Sequence, residues 1–144
     1  MISILLPPIF KRKFWADIED DIQARAKKKD ADFHLEGKWK KYYKEVDGFL
    51  VYKVNGEWVR NNLSVIFGHG GHGYVHEFIP TREIWVATKH WPYCGCHRWG
   101  GRMTAVDIRK TIRHEIEEFK LMKEGWKFIK AHREADRREE QKSC

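Results

Sequence analysis

Apolar residues recur along this chain with two different periods. From Phe14 to about Lys29 the positions Trp15, Ile18, Ile22 and Ala26 repeat at helical spacing. Acidic residues come early in that stretch and Lys27 to Lys29 come late, an order that suits the helix dipole, so an amphipathic helix is expected. Upstream, Met1 to Phe10 is apolar and broken by Pro7 and Pro8, which reads as a short strand or extended arm. The period then changes. Phe49 to Val54 (FLVYKV), Asn55-Gly56 and Glu57 to Val59 predict a hairpin, because Asn-Gly tolerates the positive φ angles of a two-residue type I′ turn. Ser64 to Phe67, Tyr74 to Phe78 and, after Pro80, Glu83 to Val86 (EIWV) extend the prediction to an antiparallel meander of four or five strands. Helical spacing returns at Ile108, Ile112, Ile116, Phe119 and Met122, with Thr104 or Asp107 as cap and Gly125 as the residue just past the end. A last helix starts near Trp126 and buries Phe128, Ala131, His132 and Ala135, and the polar residues beyond Asp136 are expected to fray.

The expected fold class is α+β: a small antiparallel sheet, an N-terminal helix and a C-terminal helical hairpin. The 144 residues suffice for one core, divided into 1–47 (helix and extension), 48–86 (meander), 87–103 (a Cys/His/Gly-rich loop) and 104–137 (hairpin). The net charge of +7 is spread thinly, as +3, +2 and +2 over 1–60, 61–105 and 106–144. No basic tail of the kind nucleic-acid binders often carry is visible. Trp39, Tyr42 and Tyr43 do stand among Lys38, Lys40, Lys41 and Lys44, a mixture that can stack on single strands and touch phosphates. Aromatics facing the core with lysines facing water explain the same stretch, so nucleic acid is not the favoured partner and a protein partner stays open. Three cysteines, two of them as Cys94-x-Cys96, do not make a secreted disulfide framework. The apolar N-terminus precedes its basic cluster (Lys11, Arg12, Lys13), the reverse of a signal peptide, and no window nears the ~20 apolar residues of a membrane span. A cytoplasmic protein without membrane association is expected.

Three constellations could carry chemistry. In HEIEE (114–118), His114 and Glu118 lie about 40° apart on one helix face. Imidazole plus carboxylate suits zinc or a similar divalent metal, and His132 on the next helix would complete a His₂Glu set. Glu115 then stands where helical HExxH motifs keep their general base. His114 and Glu118 point well away from the Ile112 stripe, so a strand or loop must cover that second face. The second constellation is GHGGHGYVH, with His69, His72 and His76, whose glycines permit close backbone approach and whose simplest reading is a solvent-facing loop. The third is His90, Cys94, Cys96 and His97: four N/S donors that could hold a structural zinc, although Cys-x-Cys is tighter than the usual Cys-x₂₋₄-Cys.

The run VNGEWVRNNLSVIFGHGGHGYVHEFIPTREIWVA (54–87) followed by HEIEEFKLMKEGWKFIKAHREA (114–135) resembles a small family from phages, bacteria and archaea. Its members carry a Gly-Gly before FIPxxEIW and then a zincin-like HExxE…AH hairpin. Here Gly70-Gly71, Phe78-Ile79-Pro80, Glu83-Ile84-Trp85, His114-Glu115, Glu118, Gly125 and Ala131-His132 match that order. The residues ahead of AH, Trp126 to Lys130, depart from the family's aromatic and acidic pattern. The resemblance implies a metal or catalytic site at His114, Glu118 and His132 with Glu115 as base, and a host-cytoplasmic location if the chain is phage-encoded. Hydrolysis of a peptide or other acyl bond is the reaction class expected of such a site. Glu83 is the candidate for orienting a ligand histidine. The alternative is a non-catalytic interaction protein.

Overall fold

The computed structural model describes residues 8–29, 35–91 and 101–139. Its elements are α1 (Pro8–Lys27), β1 (Lys40–Val46), β2 (Phe49–Val54), α2 (Gly56–Asn62), β3 (Gly70–His72), β4 (Glu83–Ala87), α3 (Ala105–Lys123) and α4 (Phe128–Glu139). The class is α+β, with an N-terminal helix, a four-stranded sheet and two C-terminal helices. α4 runs past Asp136, where fraying was expected.

The sheet order is β1-β2-β4-β3. β1 and β3 pair antiparallel with their neighbours, but β2 and β4 run parallel. The sheet is therefore mixed, and the expected antiparallel meander is corrected. The cause is Asn55-Gly56. Asn55 keeps an extended backbone (φ −78, ψ 100), and its side chain accepts from the Trp58 N–H, which makes it the N-cap of α2. Glu57 to Val59, expected as a return strand, is helical, so the chain crosses over before β4 lies down parallel to β2. The hairpin turn is Asp47-Gly48 instead, with φ values of 50 and 85, the paired left-handed conformations of a type I′ turn. Ser64 to Phe67 and Tyr74 to Phe78 are loops, and the short β3 lies between them.

Alternation along the strands divides the core. Val51, Ile84 and Val86 face α3 and pack on Ile108, Ile112 and Ile116, with Met103 closing the end. Val54, Trp85 and Ala87 face the other way, toward Val59, Phe67 and Ile79. On that side Trp39 stacks on Trp58 at 4.3 Å and meets Trp85 edge-on at 5.2 Å. A third cluster (Leu121, Met122, Ala131) joins α3 to α4 beneath Tyr74 and Phe128. α1 is tied across it by Lys27 Nζ, which donates to the Met122 carbonyl at 2.9 Å, and by the Arg25–Glu77 pair at 3.0 Å.

β3 can lie against α3 only because Gly70 lacks a side chain. A Cβ there would stand 2.7 Å from Thr111 Cγ2, 3.1 Å from the Trp85 carbonyl and 3.2 Å from Glu115 Cγ. Urea denaturation should show Gly70→Ala losing about 1–3 kcal/mol, the usual cost of overpacking. Gly68→Ala, which meets nothing within 4 Å, should stay within about 1 kcal/mol of wild type. Equal effects at the two positions would refute this account of the close approach.

Candidate metal centre

α3 begins with a full capping box, Thr104 Oγ1 accepting from the Asp107 N–H while the Asp107 side chain accepts from the Thr104 N–H. The helix is buried on two faces. One carries the isoleucine stripe; the other carries His114, Glu115 and Glu118, all buried. Two elements cover this second face. α4 packs beside α3 and brings His132, and β3 brings His72 from the GHGGHG segment.

The carboxylate of Glu118 is the centre of the cluster. Its Oε2 lies 2.8 Å from His132 Nδ1 and 3.1 Å from His114 Nε2, and those two nitrogens are 3.1 Å apart. Its other oxygen, Oε1, lies 2.7 Å from His72 Nε2. A carboxylate oxygen of Glu115 falls within 4.8 Å of ligand atoms of both His72 and Glu118. The far sides of the two helical histidines face Asp136: His114 Nδ1 is 3.2 Å from Oδ1 and His132 Nε2 is 3.6 Å from Oδ2. The cluster is deep at one end and open at the other. Glu118 is 2% exposed and His72 0%, whereas the side chains of His132 and Asp136 are 44% and 55% exposed.

Burial alone would raise the Glu118 pKa. Hydrogen bonds with His114, His132 and His72 outweigh that and hold it well below the usual carboxylate range, so the group is an anion. A neutral imidazole has one N–H. On binding an ion, His114 and His132 would each carry that proton on the nitrogen facing Asp136. His114 Nε2 and His132 Nδ1 would then give up their bonds to Glu118 and present lone pairs beside its Oε2. Such a triangle of donor atoms attracts a cation. Ligands around tetrahedral zinc stand roughly 3.4 Å apart at bond lengths of about 2.1 Å. The observed edges of 2.8, 3.1 and 3.1 Å are a few tenths shorter, within reach of small side-chain rotations. The residues present therefore fit a divalent ion bound by two imidazoles and one carboxylate.

The three expected ligands thus come together, with Glu115 beside them. Of the other candidates among the described residues, only His72 joins. Glu83 is on the opposite face of the sheet, where it accepts from Trp85 Nε1 at 2.8 Å and pairs with Lys40 at 2.7 Å, facing away from the cluster. His69 accepts from the Trp91 N–H at 3.0 Å and lies near the His90 ring. His76 is buried between Phe67 and Phe78. His90 is buried and 3.2 Å from Asp107; Cys94, Cys96 and His97 lie outside the described residues. The expectation of a solvent-facing histidine loop is corrected, since His72 and His76 are both buried. Asp136 was missed, although its spacing of four from His132 places the two on one helix face. In the basic-aromatic stretch Trp39 is half-buried against the core, while Tyr42 and Tyr43 are exposed on β1, Tyr43 beneath Lys53 at 4.1 Å.

No protein-family model, curated protein or solved structure matches the chain. Among the described residues, no helix is long and apolar enough to cross a membrane.

His76 gives the fold a pH dependence. Burial, then the neighbouring His72, lowers its pKa from 6.5 to about 4, against a smaller opposing pull from Glu118. The unfolded chain therefore takes up this proton first as pH falls. Stability is complete above about 6.5 and is lost between there and about 4, roughly 3 kcal/mol in all at 1.36 kcal/mol per unit. Chemical denaturation at pH 7.5 and 5.0 should show a drop of about 2 kcal/mol attributable to His76, and His76→Leu should reduce the drop by that amount. An unchanged slope in the variant would show that His76 is not its source.

Proposed function

We propose that the chain is a divalent-metal protein with a zincin-like hydrolytic centre, zinc being the metal its donor set suits best. The observation that carries the reading is the donor triangle of His114 Nε2, His132 Nδ1 and Glu118 Oε2 at 2.8–3.1 Å, open on the His132 side. His114, Glu118 and His132 would hold the ion, leaving a fourth position toward solvent, as catalytic zinc sites do. Asp136 supports the two imidazoles from behind. The ion would supply Lewis acidity, which polarises an acyl carbonyl and lowers the pKa of water to near 7. Glu115, buried beside Glu118, would receive the proton and return it to the leaving group. Cleavage of a peptide or other acyl bond is the reaction class that such a set serves.

The protein purified without chelator should contain one zinc per chain by elemental analysis. His114→Ala, His132→Ala and Glu118→Gln should each abolish it. Asp136→Asn should keep the ion but weaken its affinity about 10–100-fold. The reverse result, with Asp136 essential and Glu118 dispensable, would move the ion to the outer nitrogens of the two rings. Glu115→Gln should retain zinc while lowering turnover of a mixed peptide and ester library about 10²–10⁴-fold. Wild-type protein that stays metal-free, and is not stabilised by added zinc, would end the proposal.

The exposed Lys41, Tyr42, Tyr43 and Lys44 on edge strand β1 favour one second reading, a surface for an anionic partner. Binding of single-stranded nucleic acid through it should weaken by roughly 0.7 log units per log unit of salt for each phosphate neutralised. A flat salt response would remove that reading.

A further inference from the structure

His72 sits where it could be read as one more ligand, since its Nε2 and oxygens of Glu115 and Glu118 lie within 4.8 Å of one another. Its hydrogen bonding argues otherwise. The backbone N–H of Tyr74 donates to His72 Nδ1 at 3.2 Å. A backbone amide is only ever a donor there, so Nδ1 must carry the lone pair, and the proton of the neutral ring is on Nε2. That N–H faces Glu118 Oε1 at 2.7 Å, the length of a hydrogen bond strengthened by the carboxylate's charge. Coordination through Nε2 would send the proton to Nδ1, where it would meet the Tyr74 N–H. Two donors would then confront each other in a fully buried place.

The ring has little freedom to escape this role. It is 0% exposed and stands edge-on against Phe119, with centroids 5.5 Å apart. Its strand is fixed by the pairing of His72 with Ile84 and by the glycine contact with α3. Phe119 is itself clamped by Tyr74, stacked on it at 4.1 Å. The donor that faces Oε1 is thus held from several sides.

Resting on the metal reading above, we propose that His72 is a positioning residue that keeps Glu118 monodentate. By occupying Oε1 it leaves a single oxygen, Oε2, for the ion beside His114 and His132. Three protein ligands then leave one position of a tetrahedral centre for water or a substrate oxygen. A chelating carboxylate would add a second oxygen, raise the coordination number and compete with water or substrate for the ion. The segment that looked in sequence like a loose histidine loop thus sets the coordination number.

Cobalt(II) titrated into metal-depleted full-length protein provides the test, read by visible absorption. Wild type should take up one cobalt with the intense bands of a four-coordinate ion. His72→Phe should still take up one, with weaker bands of higher coordination and affinity reduced about 10–100-fold. His72→Gln, whose side-chain amide again offers an N–H, should restore the wild-type spectrum. A His72→Phe spectrum identical to wild type would overturn the proposal. Two cobalt ions in wild type and one in the variant would overturn it as well, by making His72 a ligand. Imidazole ¹⁵N spectra of the unaltered zinc protein supply a check that needs no variant. His72 should read as the Nε2–H tautomer, and the opposite tautomer would refute the assignment. Failure of the metal reading itself looks different, as wild type would bind no cobalt, and both ideas would then fall together.

Discussion

Burying the carboxylate of Glu118 is the constraint from which the rest of the site follows. An ionised carboxylate 2% exposed is costly unless neighbouring groups compensate it. α3 cannot supply those neighbours alone. Its own His114 is one turn back, and the other two histidines come from different elements, His132 from α4 and His72 from β3. Docking both elements on the polar face of α3 gives the helix its second buried side. Gly70 makes the β3 contact close enough, and Gly125, with a φ of 109, turns the chain back into α4.

A second buried carboxylate on the other side of the sheet shows what a purely structural solution looks like. Glu83 pairs with Lys40 at 2.7 Å, both side chains 4% exposed or less, and accepts from Trp85 Nε1 at 2.8 Å. Lys40 in turn donates to the Leu35 carbonyl and lies over the Tyr52 ring. There a cation meets the anion directly, beside the Tyr52 and Trp85 rings. Glu118 is met instead by three rings that each carry an acceptor as well as a donor nitrogen. Two of those rings reach toward solvent through His132 and Asp136. Equal burial is solved in two chemically different ways.

Much of this was legible in the sequence, and the failures have physical reasons. The long periodic elements α3 and α4 and the apolar EIWV strand were readable, because helix spacing and burial reinforce each other there. No spacing encodes the docking of α4 that brings His132 to the site. That His114 and Glu118 share a helix face was readable, since a spacing of four fixes it. The turns were not. Asn55-Gly56 and Asp47-Gly48 both satisfy the rule for a two-residue hairpin, and only tertiary structure shows that the first caps a helix and the second turns a strand. Swapping these roles converts an antiparallel meander into a mixed sheet. His72 could not be told from His69 and His76, because three histidines in a glycine-rich stretch have no periodicity that separates them. Glu83 misled because alternation along β4 turns it away from α3, with Trp85 and Ala87, once Ile84 and Val86 face the helix.

Charge balance gives the last reason to prefer a cation over a closed polar network at Glu118. Glu115 is also buried, with an oxygen within 4.8 Å of Glu118. Two carboxylates that close raise each other's cost of ionisation, and one of them usually takes up a proton. Glu118 is held in its ionised form by its hydrogen bonds. His114 Nε2 and His132 Nδ1 both face Glu118 Oε2 and lie 3.1 Å from each other, so two N–H groups donated there would stand close together. A divalent ion at the same point, as proposed above, would offset the charge of both carboxylates. Under that proposal Glu115, with an oxygen within 4.8 Å of Glu118, would act as the base beside the ion.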